Sequence, residues 1–109
     1  MPKKTKIPGE VLRSFIDEYQ INPFFLSKEI QLNYQTIMNI LKGKAKINVP
    51  TAIRLGKYFG NSPKYWLDVQ LSYEFNKLSA NKKFLSAVKK IPKAKIPKAN
   101  AKAKSTAKK

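Results

Sequence analysis

The stretch Leu26-Ser27-Lys28-Glu29-Ile30-Gln31-Leu32-Asn33-Tyr34-Gln35-Thr36-Ile37-Met38-Asn39-Ile40-Leu41-Lys42-Gly43 decides the fold. Asn33 stands where a polar side chain can cap a helix start, and Gly43 where glycine can end one. Just upstream, Asn22-Pro23 supplies a second cap, with proline at the first helical position. The reading is two short helices. One carries Phe24, Phe25, Leu26 and Ile30; the other turns Ile37, Ile40 and Leu41 inward. A turn of three or four residues joins them.

The same punctuation continues on both sides. Pro8 suits a helix start and Glu10 its first turn, and Val11, Leu12, Phe15, Ile16 and Tyr19 form an apolar stripe. A fourth helix opens at Asn48 or Val49-Pro50, carries Ala52, Ile53, Leu55, Tyr58 and Phe59, and stops at Gly60. Ser62-Pro63 repeats the cap-then-proline start for a fifth, with Tyr65, Trp66, Leu67, Val69, Leu71, Tyr73 and Phe75. No strand-length stretch alternates with period two, so the fold class is all-α with five helices.

Of the 109 residues, 23 are Lys or Arg and 6 are Asp or Glu, a net charge of +17, with no His and no Cys. That length allows one domain with a tail. Without His or Cys there is no thiol nucleophile, disulfide, imidazole base or His/Cys zinc site. The acids present lie on helix surfaces with no Gly-rich phosphate loop beside them, so neither an enzyme nor a bound cofactor or metal is expected. So strong a positive field selects a polyanionic partner. No run reaches the ~18 apolar residues of a membrane span and no apolar signal segment follows Met1, so a cytoplasmic protein without a membrane partner is expected.

The charge is uneven. Residues 1–80 carry 12 basic and all six acidic side chains, whereas 81–109 carry 11 lysines and no acid. The tail also repeats itself: Lys90-Ile91-Pro92-Lys93-Ala94 is followed by Lys95-Ile96-Pro97-Lys98-Ala99. Such a Lys/Ala/Pro segment has too little apolar surface to offset its chain entropy, so disorder is expected from about residue 90. Phe84, Leu85 and Val88 fall at helical spacing and let the last helix run to about Lys90. The division expected is 1–80 as the folded domain, with its motif at about 23–42, and 81–109 as a basic tail.

Two short helices across a tight turn in a small basic domain make a helix-turn-helix. Residues 26–43 resemble the phage-repressor-like (XRE) version. Two positions depart from that family: Ser27 replaces its usual Ala, and Gln31 its turn Gly. Ser is small enough to keep the helices close. Gln31 must take a left-handed backbone at a cost on the order of 1 kcal/mol, or the turn is rebuilt. Pro23 stands where the family often offers a phosphate-binding Gln, so phosphate anchoring must come from elsewhere.

Beyond the motif, Pro8-Gly9-Glu10-Val11-Leu12-Arg13, Thr51 to Gly60 and above all Ser62-Pro63-Lys64-Tyr65-Trp66-Leu67 resemble the HigA-type antitoxins, also known as VapI or addiction-module antidote proteins. The family's His before the opening Pro-Gly is Ile7 here. The likeness covers about residues 7–76. It implies a five-helix domain, a homodimer, binding to an inverted-repeat operator in double-stranded DNA with autorepression, and complexation of a HigB toxin, an mRNA-cutting ribonuclease of the RelE class.

In that setting the outer face of the third helix offers Asn33, Tyr34, Gln35, Thr36, Met38, Asn39 and Lys42 to DNA. Asn and Gln pair with adenine, Thr touches a thymine methyl or a phosphate, and Lys suits phosphate or guanine. Tyr34 has a second option, packing on the turn, and Asn33 serves as a cap. Lys44 and Lys46 follow Gly43 and would lie along the sugar-phosphate backbone. Tyr65, Trp66, Tyr73 and Phe75 read as core or dimer packing rather than a stacking platform for single strands. Two alternatives remain: a stand-alone XRE-type regulator without a toxin, and a nucleoid-associated binder whose tail lysines steepen the salt dependence by about 0.9 per phosphate neutralised.

Overall fold

Local chemistry starts almost every helix. In the computed structural model, which describes residues 6–95, α1 spans Pro8–Glu18, α2 Pro23–Glu29, α3 Tyr34–Leu41, α4 Val49–Phe59, α5 Pro63–Ser79 and α6 Lys82–Lys89. Asn22, Asn33, Asn48, Ser62 and Asn81 each accept a backbone N–H of the helix they precede. Ile7, before α1, has no such side chain, and Pro8 fixes the entry instead. No strand occurs among the described residues.

The first four helices are closed by left-handed residues. Gly43 and Gly60 have φ of 81° and 77°, and two glutamines do the same work at φ 54° (Gln20) and 58° (Gln31). After α2, Leu32 N–H donates to Ser27 O at 2.9 Å and Gln31 N–H to Lys28 O at 3.3 Å. That is the Schellman pattern, so the turn is kept and Gln31 adopts the left-handed conformation.

The expectation of five helices needs correction, because the described residues form six. The fifth helix ends at Ser79; Ala80 closes it, and the Asn81 side chain accepts from Phe84 N–H at 2.9 Å to begin α6. A cap inside a lysine-rich run splits what spacing alone lets run on. The expected disorder at the far end of the tail, with the second Lys-Ile-Pro-Lys-Ala unit, lies mostly outside the described residues.

The core collects one face from each of the first five helices. Leu12, Leu26, Ile37, Leu55 and Trp66 are fully buried, and Ile47, in the α3–α4 loop, joins them. Trp66 explains the Ser-Pro-x-Tyr-Trp-Leu block. Ser62 and Pro63 set the helix start, and four residues on the indole packs 4.9 Å from the Phe15 ring while its Nε1–H donates to Asn61 Oδ1 at 2.8 Å. Gly9 lets α1 rest on the end of α3, since a Cβ there would come 2.5 Å from Ile40 O. Not every apolar position goes inward: Ile53, Leu71 and Phe75 are exposed, and α6 buries no residue.

Candidate nucleic-acid interface

The geometry of α2 and α3 follows from a few small contacts. Ser27, buried where α2 meets its neighbours, donates its hydroxyl to Phe24 O at 2.7 Å, which satisfies the polar group without adding bulk. Arg54 from α4 donates to Ile30 O at 2.7 Å, so the end of α2 is also held by a charge-assisted bond. Asn33 then starts α3, its Oδ1 accepting Gln35 N–H at 2.7 Å. With Ile37 and Ile40 in the core, the other side of α3 is left to solvent.

On that side Gln35 and Asn39 lie one turn apart, and Gln35 Nε2–H donates to Asn39 Oδ1 at 3.2 Å. Lys42, exposed, continues the same stripe at the helix end. Thr36 and Met38 are half-buried on either flank. Beyond Gly43 the chain turns back: Lys44 N–H donates to Asn39 O at 2.7 Å, and the Lys44 and Lys46 side chains stand free of the core. Lys46 Nζ lies 3.8 Å from Glu74 on α5, an exposed pair worth little.

Three of the nine expected residues therefore share one stripe, namely the exposed Gln35 and Lys42 with a half-buried Asn39 between them, and Lys44 and Lys46 extend it along the following loop. Two are engaged elsewhere. The Asn33 oxygen is occupied as a cap. Tyr34 leans back across the turn, its ring 5.7 Å from that of Phe24 in an edge-on arrangement. Sequence reasoning placed Phe24 with the apolar residues of α2 and did not connect it to this surface. Phe24 is 55% exposed beside Tyr34 at 42%, and Lys28 Nζ sits 5.2 Å from the centre of the Phe24 ring. The signal available was weak: Phe24 follows Pro23 directly, where a first-turn side chain tends to point outward.

The loop that carries the lysines is anchored from below. Ile47 N–H donates to Gln70 Oε1 at 2.9 Å, and Gln70 Nε2–H donates onward to Glu74 Oε2 at 2.9 Å. Gln70 is buried and fully paired, so α5 and the α3–α4 loop are joined by one amide. Nothing nearby suggests metal chemistry, since no group of three His, Cys, Asp or Glu gathers at metal-binding distance among the described residues. No helix among them is long and apolar enough to cross a membrane.

No family model matches the chain. Individual proteins do. The antitoxin HigA of Pseudomonas aeruginosa, solved with the higBA promoter, is 31% identical over 82% of this chain and 97% of that one, with a TM-score of 0.71. A second Pseudomonas aeruginosa protein, solved in complex with its operator DNA, is 32% identical over 71% of this chain and 86% of its own, with a TM-score of 0.68. Among relatives by sequence, an uncharacterised HTH-type transcriptional regulator of Haemophilus influenzae is 25% identical over 84% of this chain and 86% of its length. They are an antitoxin, an operator-bound protein and an HTH-type regulator. The helical frame, the capped turn ahead of α3 and identity sustained along nearly the whole of a HigA chain agree on one conclusion: the chain belongs to the HigA family of helix-turn-helix antitoxins.

Proposed function

We propose that this chain is a DNA-binding antitoxin that represses its own operon and neutralises a basic, mRNA-cleaving toxin of the RelE class. The observation that carries the DNA reading is the Gln35–Asn39–Lys42 stripe. Two amides, one exposed and one half-buried, and an exposed cation on the outer helix face, behind a closed turn, match the donor and acceptor pattern of a major groove. Relatives solved with operator or promoter DNA support the same reading. In it, Gln35 and Asn39 read adenine edges and Thr36 and Met38 make flanking contacts. Lys42, Lys44 and Lys46 hold phosphates, while Asn33 and Tyr34 fix the helix start. Residues 1–80 are the reading domain and 81–109 a basic extension that adds counterion release.

The chain acts here as a homodimer, with two α3 helices about one DNA turn apart on an inverted repeat. Support comes from the outward apolar side of α5, where Leu71 and Phe75 stay in water in a single copy. For the toxin the charge distribution is informative. Glu10, Asp17 and Glu18 are exposed on α1, opposed on that helix only by Arg13. An RNA-cutting protein carries basic surface, and this is the helix suited to meet it.

Titration of the DNA lying directly upstream of the operon, at fixed salt, tests the reading. Gln35→Ala and Asn39→Ala should each lose about 1–3 kcal/mol on that DNA and little on a scrambled duplex. Unchanged affinity in both variants refutes it. Copurification of a small ribonuclease with the tagged full chain tests the toxin half, and a chain recovered alone favours a stand-alone regulator.

A further inference from the structure

We propose that Phe24, at the start of α2, is a specificity-determining residue that reads the 5-methyl group of thymine, with Tyr34 holding its ring in place. The inference rests on the DNA reading above and extends it to a residue on the other helix of the motif. Phe24 is one of several exposed apolar side chains, and its surroundings distinguish it. The Tyr34 ring meets it edge-on at 5.7 Å, and Lys28 Nζ stands 5.2 Å from its centroid. Two neighbours thus fix one orientation of a side chain that is still 55% exposed.

Its position gives the occupant. Tyr34 is the first residue of α3, and in helix-turn-helix docking the first residues of that helix approach base edges while the preceding helix crosses the backbone. The Phe24–Tyr34 pair is therefore continuous with the Gln35–Asn39 stripe, at the seam between groove and backbone. Pro23, beside it, has no N–H to give a phosphate, and the exposed Phe24 ring makes the start of α2 apolar. The one apolar group that a base pair presents in the major groove is the thymine methyl, for which phenylalanine is a suitable contact. Lys28, over the ring, is placed for the neighbouring phosphate.

The test needs no knowledge of the operator. The DNA directly upstream of the operon is amplified twice, once with dTTP and once with dUTP, so that the second fragment lacks every thymine methyl. Full-length wild type should bind the uracil fragment at least about fourfold more weakly, the worth of one buried methyl. Phe24→Ala should bind the thymine fragment at least about fourfold more weakly than wild type does, and lose at least about fourfold less than wild type on the exchange. Phe24→Leu, which keeps apolar bulk, should fall between them, and all three should keep the helical content of wild type because the side chain lies outside the core. Any general effect of uracil on DNA stiffness cancels in the comparison. If Phe24→Ala loses the same factor as wild type, or binds the thymine fragment equally well, the inference falls alone. If wild type shows no preference for the upstream fragment over scrambled DNA, the underlying reading falls with it.

Discussion

Gln31 is where residue and fold disagree most openly. Its φ of 58° closes the turn between α2 and α3, a job that Gly43 does at 81° after α3 without a side chain in the way. A left-handed non-glycine residue costs about 1 kcal/mol, and nothing in the hydrogen bonding of this turn depends on the glutamine side chain. Gln31→Gly should therefore stabilise the domain by about 1 kcal/mol and raise its melting midpoint by about 4–8 °C. Calorimetry checks this, and a lower midpoint would mean that the side chain makes a contact worth more than the strain. Residues such as these show what sequence could tell. Asn22, Asn33, Asn48 and Ser62 were legible as caps because capping is decided within three residues. The Tyr34–Phe24 contact was not, because it joins two helices whose mutual rotation no local rule supplies.

At the scale of the element, α5 is the helix that sequence periodicity describes least well. It has apolar residues on every side: Trp66 and Val69 face the core, whereas Leu71 and Phe75 are exposed, the latter at 68%. A helix apolar all round asks for two partners, and the domain supplies one. Spacing identified the residues as apolar but could not divide them between a core and a second surface. The α6 helix poses the same question again, with Phe84, Leu85 and Val88 all partly in water. If α5 pairs with a second copy, two-fold symmetry counts each lost contact twice. Leu71→Glu combined with Phe75→Glu should then weaken self-association by at least about a hundredfold, given about 1.5–3 kcal/mol for each large apolar side chain buried. Sedimentation of the variant should give a monomer whose helical content matches wild type. A dimer of unchanged mass would move the interface elsewhere.

Taken whole, the molecule joins its two proposed surfaces through a buried amide, beside the Ile47 side chain in the core and the exposed Lys46–Glu74 pair. Gln70 receives the Ile47 N–H at 2.9 Å and so ties α5 to the loop that follows α3. In a dimer built on α5 this amide becomes part of a gauge. The distance between two recognition helices is then set by α5, Gln70 and the loop, rather than by the DNA. One extra base pair between half-sites moves the second by about 3.4 Å and turns it by roughly 35° around the duplex axis. Wild type, held to one setting, should reject such an operator by at least about tenfold. Gln70→Met keeps the length of the side chain but leaves the Ile47 N–H without its acceptor, at a cost of about 1–3 kcal/mol in stability. Its loop loses the hydrogen bond to α5 and keeps only Ile47 packing and the exposed Lys46–Glu74 pair, and the penalty for the inserted base pair should shrink. Footprinting defines the half-sites, and competition between the original and lengthened duplexes measures the difference; equal penalties would show that the gauge lies elsewhere. A glutamine far from any base would thus govern how much misfit in helical phase the protein forgives, and hence how many imperfect sites in a genome it could occupy.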